Sequence, residues 1–194
     1  MSHPFVVLAS RSPRRRELLQ AVGVDFIERP VDTEETRLPS ETPPDMTRRL
    51  AAQKARASFD CFPPEPGQVV LGADTIVVLD GEVLGKPQDA DEGIAMLRRL
   101  SGRTHEVFTG VCVMDASGRE WSKVVRTPVT FRAFGLDEIR RYVATGEAGD
   151  KAGSYAAQGR GVALIERVEG SYTNVIGLPV TETLSLIDQA GRGA

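Results

Sequence analysis

Apolar residues along the chain follow two rhythms: short unbroken runs, and longer stretches with a single apolar face. Residues 5–9, Phe-Val-Val-Leu-Ala, form the first run and predict a buried strand. In the following string, residues 10–19, Ser12 stands at an N-cap position with Pro13 at the first helical position, so a helix is expected from Pro13 onward. Gly23 suits its stop, and residues 24–30 look extended. A polar, turn-prone stretch, residues 32–44, contains Glu34 and Glu35. Residues 45–58 carry a helical period, and Phe62-Pro-Pro-Glu-Pro66 breaks the chain. The next run, residues 68–71, continues through Gly72-Ala-Asp-Thr75 into Ile76-Val-Val-Leu79. Asp80-Gly81 follows as a two-residue hairpin signal.

The second half keeps the alternation. Residues 89–100 predict a helix with Ile94, Leu97 and Leu100 on one face and Gly102 beyond its end. Residues 104–114 and 121–134 are long strands joined at Ser117-Gly118, and residues 136–144 are helical up to Gly146. A Gly-rich loop, residues 150–161, leads to a strand over 162–168, and residues 179–189 close the chain as a helix. No internal repeat or low-complexity segment is visible. Strands and helices in this order indicate an α/β fold around a mixed sheet.

Composition narrows the function. At 194 residues the chain is expected to form one domain over residues 1–194, with room for two lobes. About 70% of the unfolded surface can be buried at this size, so no disulfide or metal staple is required. Charges nearly balance, 24 Lys+Arg against 27 Asp+Glu, which removes the broad basic field of a duplex binder. No apolar run approaches the roughly 20 residues of a membrane span. The start, Met1-Ser-His-Pro-Phe5, lacks a secretory pattern, so a cytoplasmic protein is expected. Cys61 and Cys112 form no CxxC and are expected as buried free thiols. With only His3 and His105 present, a zinc site on paired His and most Ser–His–Asp schemes are nearly excluded.

Several residues break the ordinary pattern. Arg14, Arg15 and Arg16 sit in a first helical turn, where basic side chains oppose the helix dipole. Either a phosphate-bearing ligand or a solvated basic cluster explains them. Lys54 shares an i, i+4, i+8 spacing with Met46 and Leu50. It lies at the border of the apolar face, as a snorkelling lysine or a site residue. Asp74 interrupts a run that should be buried. A carboxylate there is costly without a cationic or metal partner, unless a turn divides the run. Glu35 lies in a polar loop, and Lys86 stands in Gly85-Lys-Pro87 beside restricted backbone. No G-x-x-x-x-G-K-[ST] is present, so a Walker-type NTPase is excluded. Carboxylates able to hold a divalent cation, with Arg and Lys for phosphate oxygens, suit metal-assisted phosphoanhydride hydrolysis.

Read in order, a set of strings resembles the Maf family of nucleoside triphosphate pyrophosphatases. They are Leu8-Ala-Ser-Arg-Ser-Pro-Arg-Arg15, Lys54-Ala55, Gly72-Ala-Asp-Thr75, Gly85-Lys-Pro87 and Leu97-Arg-Arg-Leu-Ser-Gly102. Asp150-Lys-Ala-Gly-Ser-Tyr155 with Gln158-Gly159, and Gly170-Ser-Tyr172 with Asn174-Val-Ile-Gly-Leu-Pro179, complete the set across nearly the whole chain. The resemblance implies an elongated mixed sheet flanked by helices, two lobes with a cleft between them, and a homodimer. It implies hydrolysis of a nucleoside triphosphate to the monophosphate and pyrophosphate with a divalent cation, Mg²⁺ or Mn²⁺. By position, Asp74 matches the family's catalytic residue, and Glu35 with Asp74 would hold the metal. Arg15, Lys54 and Lys86 match phosphate-binding positions, and Arg14, Thr75 and Gln158 match substrate-selecting ones. Asp-Lys-Ala-Gly-x-Tyr with a following Gln is similar to the dTTP/UTP subgroup, although Ala157 replaces the larger aliphatic residue common there. A methylated-GTP pyrophosphatase and a non-catalytic nucleotide-sensing regulator of septum formation are the alternatives. A single-stranded nucleic-acid binder is disfavoured by 6% aromatic residues and a net charge of −3.

Overall fold

The central apolar run forms one strand. In the computed structural model, which describes residues 3–192, β3 (Gln68–Leu79) passes unbroken through Gly72, Ala73, Asp74 and Thr75. The turn that would have made Asp74 an ordinary loop carboxylate is absent. Before β3 come β1 (Phe5–Leu8), α1 (Pro13–Ala21), β2 (Phe26–Glu28) and α2 (Pro43–Cys61). After it come β4 (Glu82–Leu84), α3 (Ala90–Leu100), β5 (Thr104–Asp115), β6 (Glu120–Phe131) and α4 (Leu136–Val143). The chain closes with β7 (Ile165–Val168), α5 (Tyr172–Ile176) and α6 (Val180–Gly191). The sheet order is β2-β1-β3-β5-β6-β7, with β4 paired to β3. β1 runs parallel to β2 and β3, whereas β3–β4 and β6–β7 are antiparallel, so the sheet is mixed.

Two compact units divide the chain, with breaks inside β3 between Asp74 and Thr75, inside β5 between Phe108 and Thr109, inside β6 between Val125 and Arg126, and between Ile176 and Gly177. In the first unit, alternation along the strands builds two apolar layers. Val69, Leu71 and Ala73 join Val6, Leu8, Val111 and Val113 against Leu19 of α1 and Leu186, Ile187 and Ala190 of α6. Val70 belongs to the other face, with Val7, Ala9, Cys112 and Met114 against Ala51 and Ala55 of α2. Burying each large aliphatic side chain here contributes about 1.5–3 kcal/mol.

Glycine sets how close α2 approaches. A Cβ on Gly72 would lie 2.3 Å from the Ala51 carbonyl oxygen, and one on Gly110 would lie 2.2 Å from that of Thr47. The helix backbone therefore rests directly on β3 and β5. In the second unit, α3 and α4 pack together. His105, Phe131 and Tyr155 meet edge-on, with His105 Nε2 2.8 Å from Tyr155 Oη.

Element ends mostly follow the local signals. Asp80 and Gly81 both have positive φ, as a two-residue hairpin of the primed kind requires. Asp89 caps α3 through Glu92 N, while Ser12 occupies the N-cap of α1 without a side-chain bond. Two expectations are corrected. Residues 162–164 belong to a 3-10 turn, Gly159–Leu164, and only Ile165–Val168 is strand, because Gly159 and Gly161 coil the chain tightly there. Cys61 is exposed, since α2 runs on past residue 58 and its last residue faces out; Cys112 is buried, its thiol pushed up to about 12. Helix α5, at five residues, is too short for any periodicity to register in the sequence. Among the described residues, no helix is long and apolar enough to cross a membrane.

Candidate active site

Asp74 shares the parity of Val70 and Gly72, so its side chain lies on the face covered by α2. It is 6% exposed, and a carboxylate so buried needs a partner. Lys54 supplies one. It lies three residues beyond Ala51, the residue whose carbonyl sits over Gly72, and its Nζ reaches Asp74 Oδ1 at 2.6 Å. The same ammonium lies 2.6 Å from Glu35 Oε1, whose side chain is half exposed in the segment before α2. Two carboxylates from distant segments thus share one lysine, so Lys54 does more than snorkel at the border of the apolar face. The adjacent Glu34 instead accepts a hydrogen bond from Thr36.

The three consecutive arginines separate by role. Arg15 turns inward: its Nε donates to the Gly177 carbonyl at 2.9 Å and its Nη1 to Ser10 Oγ at 3.1 Å. Burial lowers the Arg15 pKa below its ordinary value; Asp74 and Glu35 act against that, while Arg14 adds to it. The guanidinium thus lies within the field of the two carboxylates that share Lys54. Arg16 pairs with Glu28 at 3.3 Å on the surface, and Arg14 is half-buried beside them. Nothing in the motifs marks Ser10 as an anchor beyond its place at the end of a buried run.

Thr75, Lys86 and Gln158 belong to the second unit. Along β3, Thr75 lies on the same face as Val77. The loop holding Gln158 lies on that face: a Cβ on Gly153 would sit 2.9 Å from Val77 Cγ1. Gly153 N also donates to the Gly85 carbonyl at 3.0 Å, which fixes the loop beside the turn carrying exposed Lys86. Gln158 is half-buried and Lys151 pairs with Asp150. Thus Arg14, Arg15, Glu35, Lys54 and Asp74 belong to one unit, and Thr75, Lys86 and Gln158 to the other.

Another buried carboxylate, Asp115, shows what a structural one looks like. Burial works to raise its pKa, but bonds from the Ser117 hydroxyl and from the main chain of Arg119 and Ser117 bring it below the usual range. Its partners are all local to the β5–β6 turn, where the charge of the Arg119 side chain adds to the lowering.

Among the described residues, no three His, Cys, Asp or Glu side chains gather as a metal cage. The oxygens of Glu35 and Asp74 nevertheless suit a hard cation. Mg²⁺ is commonly bound through one or two carboxylates, with substrate phosphates and water completing its shell.

A strand-borne buried carboxylate, a lysine bridging it to a second carboxylate, and a basic helix start thus lie together in the first unit of a mixed α/β sheet. The chain belongs to the family of Maf-like proteins, whose model matches residues 5–190. It is 54% identical over 191 residues to the "dTTP/UTP pyrophosphatase" of Anaeromyxobacter dehalogenans, covering 97% of this chain and 95% of that one. Relatives of the same name from Myxococcus xanthus and a Geobacter species are 50% and 46% identical, covering 96% and 98% of this chain and 93% and 98% of theirs. The Staphylococcus aureus Ham1 structure shares the fold, with a TM-score of 0.51 and 15% identity over 83% of this chain and 79% of that one.

Proposed function

We propose that this Maf-family protein hydrolyses dTTP and UTP to the nucleoside monophosphate and pyrophosphate. The Lys54-bridged pair of Asp74 and Glu35 carries the proposal, and the near-full-length similarity to dTTP/UTP pyrophosphatases supports the choice of substrate. Asp74 accepts a proton from the attacking water. Lys54 has three N–H donors; with two directed at Asp74 and Glu35, the third serves a phosphate oxygen. Arg15 and Lys86 offset the charge that grows on the leaving pyrophosphate, and the triphosphate in turn relieves the desolvation of Arg15. Glu35 and Asp74 would hold the divalent cation, Mg²⁺ or Mn²⁺, which when bound polarises phosphate oxygens and acidifies water.

Base choice falls to Thr75 and Gln158, with Arg14 at the substrate. An amide and a hydroxyl match the carbonyl–imide edge of a pyrimidine, and a wrong base leaves polar groups unpaired at about 1–3 kcal/mol each. The same reading takes the protein as a cytoplasmic homodimer acting on free nucleotides. The decisive experiment is a nucleotide panel with monophosphate and pyrophosphate both measured, on wild type and Asp74→Asn. The variant is expected to fold normally and to lose about 10²–10⁴-fold in kcat. Wild-type turnover by folded Asp74→Asn, or a purine triphosphate hydrolysed as well as dTTP, contradicts the corresponding part of the proposal.

A further inference from the structure

Gln158 stands at the N-cap of the 3-10 turn Gly159–Leu164, and its side chain makes no capping bond there. Where its amide points therefore depends on the main chain, which is gripped on both sides by side chains from elsewhere in the unit. Before Gln158, Tyr142 Oη accepts from Ala156 N at 3.0 Å and Tyr172 Oη donates to the Ala157 carbonyl. After it, the Glu147 carboxylate accepts from Arg160 N through Oε2 at 3.0 Å and from Gly161 N through Oε1 at 3.2 Å. Gly159 fits under that carboxylate with φ +67°, and a Cβ there would lie 2.8 Å from Glu147 Oε1.

Glu147 holds two successive amides of an exposed turn with a charged acceptor, and charge-assisted bonds of this kind are stronger than neutral ones. Reading a base with a single amide requires placement within about 0.5 Å. We propose that Glu147 is a positioning residue for base selection, fixing the turn from which Gln158 extends. This rests on the reading that Gln158 contacts the base. Glu147 touches no reacting atom; it acts on discrimination through Gln158.

The test compares kcat/KM for dTTP and dATP in Glu147→Ala, Glu147→Gln, Gln158→Ala and the Glu147→Ala/Gln158→Ala double variant. Glu147→Ala is expected to lower the dTTP:dATP ratio about tenfold, mainly by raising KM for dTTP. Glu147→Gln keeps one acceptor oxygen and is expected to fall between wild type and Ala. In the Gln158→Ala background, removing Glu147 is expected to shift the ratio by less than about twofold, as coupled residues do. Loss of kcat on both nucleotides at an unchanged ratio, or an equal shift with and without Gln158, overturns the positioning role. If Gln158→Ala alone preserves the ratio, the base-reading assignment fails instead, and the inference with it. Should Glu147→Ala not fold, Gly159→Ala presses a methyl on the same carboxylate and is expected to lower the ratio likewise; an unchanged ratio there overturns the proposal.

Discussion

Gly72→Ala tests whether the position of α2 decides the chemistry at Asp74. Nothing in the conformation of Gly72 forbids alanine, since its φ lies outside the left-handed region, so the perturbation is purely steric. The new Cβ would lie 2.3 Å from the Ala51 carbonyl oxygen and 2.6 Å from Ala55 N, both helix backbone that cannot rotate away. Restoring an ordinary contact near 3.4 Å requires α2 to retreat by about 1.1 Å. The Lys54–Asp74 pair, now 2.6 Å, would open to about 3.7 Å unless the lysine stretches after the strand. Overpacking of this kind costs about 1–3 kcal/mol or somewhat more. Alanine returns about 0.4–1 kcal/mol through the less flexible unfolded chain, so a net loss of about 2 kcal/mol is expected. A domain of this size has on the order of 10 kcal/mol to lose and stays folded. A misplacement of about 1 Å can cost about 10²-fold in rate, and lysine's flexibility recovers part of it, so kcat/KM for dTTP should fall about tenfold or more. Urea titration measures the first quantity and steady-state kinetics the second. A variant within 0.5 kcal/mol and threefold of wild type (roughly the limits of mutational noise) refutes the claim that glycine sets this helix-to-strand distance.

Lys54→Met leaves Asp74 buried without its cation and is expected to destabilise the protein by about 3 kcal/mol in urea. Adding Asp74→Asn should recover much of that loss, and strictly additive effects would show that the pair is not coupled. Chelator should abolish turnover and added Mg²⁺ or Mn²⁺ restore it; full activity of metal-stripped protein in chelator removes the cation from the mechanism. Burial lowers His105 to about 4, with Nε2 on Tyr155 and Nδ1 unpartnered. Because its folded pKa lies below the unfolded value near 6.5, stability should be full above pH 6.5. It should decline as pH falls toward 4, by about 3 kcal/mol from this group, and level off below. Urea titrations at pH 7 and 4.5 on wild type and His105→Phe check this, and parallel losses in the two proteins would exclude His105 as the source.

Much of the fold was legible in the chain because its signals are local. Pro13 at a helix start, Asp80-Gly81 between apolar runs and Gly102 after a periodic stretch each act through φ, ψ or a missing N–H. Local signals fall short where a distant contact chooses the conformation. Residues 162–164 look like strand by composition. They coil instead, because Gly159 and Gly161 lie against Glu147, Ala156 and Tyr142. Helix α5 is too short to carry a period, and its start is secured by Asn174 N donating to Ser171 Oγ.

The site divides the same way. Asp74 could be singled out from the sequence alone, because a carboxylate inside an apolar run violates the cost of desolvation wherever that run folds. The types of residue expected around a triphosphate could also be named, and their order along the chain carried the family resemblance. What the sequence left open was which cation neutralises Asp74, and whether Lys54 merely snorkels. That was decided only when Gly72 and Gly110 let the α2 backbone settle on β3 and β5, which brings Nζ within 2.6 Å of carboxylates 19 residues before it and 20 after it. Likewise only the fold shows that Arg15 turns inward to Gly177 while Arg16 stays on the surface with Glu28. Backbone preferences and burial costs belong to each residue and its near neighbours, so they can be read along the chain. Ion pairing depends on distances between segments far apart in sequence, and those exist only once the sheet and α2 have packed.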